Sequence, residues 1–513
     1  MNRNEIRTLG QLKKSGYRVL TVKDEIRNNL IKKIENKETF FKGIIGYDNS
    51  VIPSLINSLL SKHDIILLGL RGQAKTKIAR LIPELLDEYI PIIKGSEIND
   101  NPFNPISKYS VDLINDSGDE TEIEWIYREQ RYSEKLATPD VNIADLIGDI
   151  DPIKAANHRL HYSHEGAIHF GIIPRTNRGV FVINELPDLQ PRIQVGLLNI
   201  MQEKDIQIRG FNIRIPLDIL MVFTANPEDY TNRGNIITPL KDRIDSQIIT
   251  HYPKVLEDGI RITESNSWTE RNEKKKIHIP YYFREIIEMT AMQARVSEFV
   301  DQKSGVSARL TISSMENLIS NAERRSIMNN EDFIMPRMCD VLSILPGITG
   351  KVELVFEGEQ EGSLKVAKAL ISKSVREIFK KYFPDPLQKL KKRSGEKSQQ
   401  EKSIKDPYSE ITEWFQFGGK VNIKDDMTFE KYFAELKKVD GLENFVRKYP
   451  QYFENDYELA SLMEFVLDGL HQNSKIAKDE LDSVIMYKDM LGSMFSGSSG
   501  ASEFGGYDEE YFK

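Results

Sequence analysis

Gly69–Thr76, GLRGQAKT, lies between the apolar run Asp64–Leu68, DIILL, and the stretch KIARLIPELLDEY over 77–89. An apolar strand, a glycine-bearing loop and a helix, in that order, are what a phosphate-binding loop of the form G-x-x-x-x-G-K-[ST] requires. Glycines let the backbone wrap a phosphate and present N–H donors at a helix N-terminus, while the lysine ammonium reaches the outer phosphates. Lys75 and Thr76 match the pattern, and Ala74 stands where the second glycine is expected. That replacement is mild if φ at the position is negative, because only a positive φ demands glycine. Beyond the loop, Leu81, Leu85 and Tyr89 recur at spacings of four with Ile82 and Leu86 beside them, which predicts one buried helical stripe.

Two later stretches carry the parts that such a loop needs as partners. GVFVINEL, residues 179–186, is a short buried strand with Asn184 and Glu185 at its tip, and FTANP, residues 223–227, ends another strand at Asn226. Phosphoryl transfer asks for positioning and electrostatics rather than covalent chemistry: a group for the magnesium shell, a carboxylate to orient the attacking water, and a polar residue to hold that water. Between these strands a helix opens at Pro191, where a missing N–H costs little, and continues through Ile193, Leu197, Ile200 and Met201. The period then switches to two, so that Ile206 and Ile208 on one side of RGFN and Ile213 and Ile215 on the other predict a β-hairpin.

Composition narrows the class. A chain of 513 residues has length for roughly three domains at about 150 residues each. Its 40% hydrophobic and 29% charged residues fit a soluble globular protein, and no apolar run approaches the ~18 residues that span a bilayer. The first twenty residues lack the apolar core of a secretory signal, and the lone cysteine, Cys339, rules out an internal disulfide framework. Both point to the cytoplasm. With a net charge of −8 the chain lacks the basic excess that attracts nucleic acid, so none is expected as a partner.

Taken together, IIGYDNSV, GLRGQAKT, GVFVINELPDLQPRIQVGLLNIM, IQIRGFNIRI, FTANPEDY, LKDRID and SARLT resemble the AAA+ ATPases, in particular the branch of the MoxR and RavA proteins and the magnesium chelatase ATPase subunits. The resemblance covers about 41–385. It implies an α/β fold, a P-loop NTPase αβα sandwich with inserted hairpins, followed by a helical lid and a small C-terminal helical region. It divides the chain into an N-terminal helical segment 1–40, the ATPase core 41–254, the lid 255–387, a charged linker 388–405, a helical module 406–490 and a flexible tail 491–513. ATP and Mg2+ are the implied cofactors. Gly69, Arg71, Gly72, Gln73, Ala74, Lys75 and Thr76 would form the phosphate loop, with Thr76 and Asn184 towards the metal and Ile45 and Gly46 near adenine. Glu185 would be the catalytic carboxylate, Asn226 the first sensor, Arg243 the arginine finger inserted into a neighbouring subunit, and Arg309 the second sensor; Arg233 is a further intersubunit candidate. The implied assembly is a homo-oligomeric ring, hexameric, whose ATP cycle remodels or activates a protein partner such as a von Willebrand A-domain protein, in some members for metal insertion.

The sequence departs from the family pattern at two positions. Loops of the form GxxGxAKT also occur among MoxR-like members. Asn184 is the more serious departure, because an amide accepts from a metal-bound water but adds no negative charge, which implies slow or regulated turnover. The alternatives are a magnesium chelatase motor subunit, a nucleotide-binding scaffold that does not hydrolyse, and a transcription activator, for which neither a GAFTGA loop nor a C-terminal DNA-binding helix-turn-helix is found.

Other clusters read as structure. His158, His161, His164 and His169 lack the spacing of a zinc motif and fit an inserted hairpin. Asp140, Asp145, Asp149 and Asp151 lack the pattern of a calcium loop. Lys389, Lys391, Lys392 and Arg393 belong to the linker, and Cys339 reads as a small core hydrophobe.

Overall fold

The runs IILL, GVFVIN and ILMVFTA are buried at every position, as befits parallel strands covered on both faces. In the computed structural model they are the centre of a five-stranded sheet. Its strands are β1 (Ile65–Leu68), β2 (Tyr132–Leu136), β3 (Gly179–Asn184), β4 (Ile219–Ala225) and β5 (Ser246–Ile249), in the order β5-β1-β4-β3-β2. All four pairings are parallel. The structure describes residues 5–157, 165–208, 214–227, 234–271, 275–387, 406–481 and 484–490. It divides into two compact units, Met1–Pro253 and Lys254–Lys513.

Alternation along the strands sends side chains into two separate cores of the first unit. Ile65, Leu67, Val180, Val182, Leu220 and Val222 pack with Val22, Ile26 and Leu30 of helix α1 (Val22–Glu35), Val51, Leu55 and Leu59 of α2 (Val51–Leu60), and Ile78 and Ala79 of α3 (Lys75–Leu81). Ile66, Leu68, Phe181, Ile183, Met221 and Phe223 face the other way, onto Ile193, Leu197 and Ile200 of α4 (Pro191–Gln202) and Leu240 of α5 (Thr238–Arg243). The result is an αβα sandwich. The edges carry the polar strands: β2 keeps Glu134 and Lys135 partly exposed, and β5 is buried only at Ile248.

The helix behind the phosphate loop is shorter than the stripe predicts. It ends as α helix at Leu81, tightens into a 3-10 turn over Ile82–Leu85, and Tyr89 already begins a strand, Tyr89–Ile93. Pro83 is the reason: it lacks an N–H and its ring crowds the carbonyl of residue 79. Ile82, Leu85 and Leu86 are buried all the same.

Among the described residues of this unit three antiparallel pairs accompany the sheet: Tyr89–Ile93 with Ile123–Tyr127, and two hairpins. Gly148–Ile150 pairs with Ile168–Phe170, placing His169 opposite Asp149, and Asp205–Gln207 pairs with Arg214–Pro216, placing Ile206 opposite Ile215. The predicted tip of the second hairpin, and His158, His161 and His164, lie outside the described residues. Asp145 caps a short helix in a reciprocal box with Asn142, and Asp151 accepts from the N–H groups of Ile153 and Lys154. These carboxylates serve turns.

The second unit has one continuous core. It runs from α6 (Tyr281–Ala294), α7 (Arg309–Met328) and α8 (Ser363–Tyr382) into α9 (Asp456–Gln472). Phe465 of α9 stacks on Tyr282 at 4.6 Å and meets Phe379 edge-on at 5.7 Å, while Tyr282 Oη and Ser461 Oγ are 2.5 Å apart. Gly469 allows the close approach, since a Cβ there would lie 2.1 Å from the Phe379 ring. Besides its helices, 406–490 carries an antiparallel sheet that the helical expectation omits, Val421–Lys424 and Ala477–Leu481 flanking Val484–Lys488. Cys339 packs against this core, and burial pushes its thiol pKa up. The linker 388–405 and tail 491–513 lie outside the described residues, in which no helix is long and apolar enough to cross a membrane.

Candidate active site

The carboxyl ends of β1, β4 and β3, three adjacent strands, deliver Gly69, Asn226 and the pair Asn184–Glu185 to one end of the sheet. This is where open α/β sheets bind ligands.

The phosphate loop is braced from behind by residues that local motif reading misses. A Cβ on Gly69 would lie 1.8 Å from Thr250 Oγ1 and 2.2 Å from Gln73 Oε1, so only glycine fits. Thr250, just beyond β5, donates to Gln73 Oε1 at 2.7 Å. Tyr47 Oη lies 2.7 Å from the His251 carbonyl and 3.0 Å from the Gln73 carbonyl, and Tyr252 Oη donates to the Arg71 carbonyl at 2.8 Å. Burial pushes the Tyr47 hydroxyl up to about 12, so it stays a donor at neutral pH. Ile45 and Gly46 immediately precede this tyrosine and are partly exposed. Tyr47, Thr250 and Tyr252 are far from the loop in sequence, so only the folded sheet brings them to it.

Ala74 corrects the sequence reading. Its φ is +57°, in the left-handed region, beside Gly72 at +76°. A left-handed alanine costs about 1–2 kcal/mol because its Cβ crowds the carbonyl. Left-handed residues set on either side of one that is not, as Gly72 and Ala74 flank Gln73, turn backbone N–H groups inward, the concavity that receives an anion. Lys75, the first residue of α3, is buried, and its ammonium donates to the carbonyls of Gly69 and, at 3.2 Å, Leu70. Arg71 and Gly72 are exposed at the loop crest.

One row of polar side chains crosses the sheet face that α3 covers. Thr224 of β4 follows Leu220 and Val222 on that face, Asn184 follows Val180 and Val182 on β3, and Glu134 lies diagonally from Asn184 on β2, where Leu136 is the residue opposite. Asn184, 8% exposed, has its Oδ1 3.3 Å from the hydroxyls of both Thr76 and Thr224. Glu134 accepts from Tyr132 Oη at 2.6 Å, from Arg80 Nε at 3.0 Å and from Arg80 Nη2. Arg80 above all holds the Glu134 carboxyl below the usual carboxylate range. Thr76 and Arg80, four apart on α3, share a helix face; that spacing was legible, but its partner Glu134 was not.

Glu185 is also left-handed, with φ +55° and ψ +51°, and its N–H donates to Thr224 Oγ1 at 3.1 Å. The turn lifts the residue out of the strand path beside Asn184. Asn226 is buried one residue past β4. Arg243 ends α5 and is tied to Gln202 Oε1 at 2.7 and 3.0 Å and to the Pro239 carbonyl at 2.8 Å. Arg309 belongs to the second unit, exposed at the first position of α7. Arg233 lies outside the described residues.

The donor set suits a nucleoside triphosphate with its magnesium ion: a left-handed loop for the phosphates, a buried ammonium, and a threonine hydroxyl beside an amide oxygen and a carboxylate.

No family model matches the sequence, and no curated protein matches it. Solved structures are similar over part of the chain. NtrX from Brucella abortus is 12% identical with a TM-score of 0.33, covering 56% of this chain, which spans 54% of NtrX. A protein of Cytophaga hutchinsonii assigned as an ATPase is 18% identical with a TM-score of 0.28, over 70% of this chain and 97% of its own. A chain in the complex between subunits BchI and BchD of magnesium chelatase is 17% identical with a TM-score of 0.33, over 63% of this chain and 98% of its own. The first unit is an αβα sandwich around a five-stranded parallel sheet with inserted hairpins, and helices dominate the unit that follows.

Proposed function

We propose that the chain is an ATP-hydrolysing AAA+ motor of the cytoplasm, of the MoxR and magnesium chelatase ATPase-subunit-like branch. It would work as a homo-oligomeric ring, hexameric, that remodels or activates a protein partner, such as a von Willebrand A-domain protein. The observation that carries this reading is the convergence of Gly69, Asn184–Glu185 and Asn226 on the ends of three adjacent strands, with Lys75 and Thr76 at the start of α3.

The loop backbone and the Lys75 ammonium receive the phosphates, Lys75 exchanging the carbonyls of Gly69 and Leu70 for phosphate oxygens. Thr76 and Asn184 would hold the magnesium ion, which offsets charge on the phosphates. Glu185 would orient the attacking water and take its proton as the water oxygen bonds to the terminal phosphorus and the bond to the leaving diphosphate oxygen breaks, with Asn226 helping to hold that water. Arg243 serves a neighbouring subunit and Arg309 senses the nucleotide from the lid, so an isolated subunit hydrolyses poorly. The division into core 41–254, lid 255–387 and module 406–490 belongs to the same proposal.

Three proteins test it at ring-forming concentration. Wild type should turn ATP over; Lys75→Ala should lose nucleotide binding; Glu185→Gln should bind ATP normally and hydrolyse it about 100-fold or more slowly, as loss of general-base catalysis implies. Equal, near-zero rates in all three would overturn the enzyme reading.

A further inference from the structure

A cavity of 630 Å³ opens at the amino ends of the same strands, away from the end that carries Lys75 and Asn184. Arg178 and Asp218, the residues immediately before β3 and β4, line it together with Lys23 at the start of α1. Its size falls within the about 300–1,000 Å³ of small-molecule sites, which join an apolar wall to a few placed polar groups. Val19, Ile106, Leu217 and Ile219 supply the apolar wall.

The charges on the wall do not cancel. Lys23 pairs with Asp64 at 2.8 Å, and Lys62 pairs with Asp24. Arg178 and Lys204 then stand against Asp218, and among the described residues neither cation forms an ion pair. Asp218 is itself engaged, both of its oxygens accepting from Val22 N–H, at 2.9 and 3.2 Å. Arg178 is 5% exposed, and its Nη1 donates only to the carbonyls of Pro91 at 2.7 Å and Asn99 at 3.5 Å. Burial and the neighbouring Arg131 both oppose its charge. A buried guanidinium is normally paired with an anion, and its fork suits a carboxylate or a phosphate.

We propose that this cavity is a binding site for a small organic anion, separate from the site at the carboxyl ends of the strands. A carboxylate or phosphate group would pair with Arg178, carried on an apolar body lying against Ile106, Leu217 and Ile219. Lys204, exposed at the rim, adds attraction from outside. The proposal does not depend on the nucleotide reading.

Benzoate, phenyl phosphate and benzylamine test it, each titrated into the full-length protein and followed by ligand-observed NMR. The two anions should bind, the tighter of them identifying the anionic group. Benzylamine, a similar body bearing a cation, should bind about tenfold more weakly or worse, since like charges repel across a site. Arg178→Gln should weaken both anions by about tenfold or more, as loss of a charged hydrogen-bond partner implies. Lys204→Glu should weaken them by about fivefold, the effect of reversing an exposed charge. Asn104→Trp, at an exposed position of the cavity wall, should fill the space and abolish binding. Lys75→Ala should leave both affinities unchanged. Binding that falls in Lys75→Ala and holds in the three cavity variants puts the anion in the phosphate loop and overturns the proposal, while leaving the nucleotide reading intact. Benzylamine binding as tightly as the anions, or wild type binding neither anion, also overturns it. Should Arg178→Gln fail to fold, Lys204→Glu and Asn104→Trp decide the matter by themselves.

Discussion

Ala74 and Glu185 both hold positive φ, and they bracket the same end of the sheet. Strain of this kind persists where surroundings over-determine the backbone: the Ala74 carbonyl accepts from Ile78 N–H at 2.9 Å to start α3, and Thr224 holds the Glu185 amide. Ala74→Gly should therefore stabilise the first unit. The gain is the about 1–2 kcal/mol of left-handed strain less the about 0.4–1 kcal/mol that glycine adds to the freedom of the unfolded chain. Calorimetry should show its transition rise by about 1–4 °C; a fall would mean that the residue is not left-handed. The identity of Lys75, Thr76, Glu185 and Asn226 was readable from motif order, but their backbone angles were not, since alanine and glutamate ordinarily avoid that region.

Among the elements, α1 is bound to the sheet by a pair that no sequence pattern marks. Glu25 and Arg131 lie 106 positions apart, both almost fully buried, with two parallel bonds of 2.7 Å. Arg131 Nε also donates to the Arg178 carbonyl at 2.7 Å. Arg178 stands close enough that burial and Arg131 together press its guanidinium down to about 10. Glu25→Ala would leave the buried Arg131 without its carboxylate and should cost about 3–5 kcal/mol, read as a lower urea midpoint for the first unit. A loss under about 0.5 kcal/mol, typical of a surface site, would show the pair to be inert. The strands were legible here, because continuous apolar runs have few other readings. Helix length was less so, since the stripe from Leu81 to Tyr89 counted apolar spacing and passed over Pro83.

At the scale of the whole molecule, the second unit buries a carboxyl in its centre. Glu464 is fully buried on α9, accepts from Tyr432 Oη at 2.7 Å and Met338 N–H at 2.9 Å, and is pushed up to about 7, chiefly by burial. A carboxyl raised in the folded state binds more protons folded than unfolded between its ordinary value of 4.5 and about 7. Its contribution is thus complete below pH 4.5 and declines as pH rises towards 7. Glu464→Gln mimics the protonated form. Its melting temperature should match wild type near pH 4.5 and exceed it increasingly up to pH 7, then hold a constant lead. A lead independent of pH would show that Glu464 does not titrate in this range. One core joining 279–487 was hidden from the sequence by the polar linker within it, which separates the segments along the chain and not in space.

By itself the sequence determined the αβα order, the phosphate loop and the polar tips of β3 and β4. These depend on residue type and short spacing, which survive without a fold. Only tertiary structure decided that Ala74 is left-handed, that Tyr47, Thr250 and Tyr252 brace the loop, and that Asn184 lies between Thr76 and Thr224. Each of these depends on parallel strands distant in sequence being set side by side, where hydrogen bonding and the close approach of backbones act across the sheet.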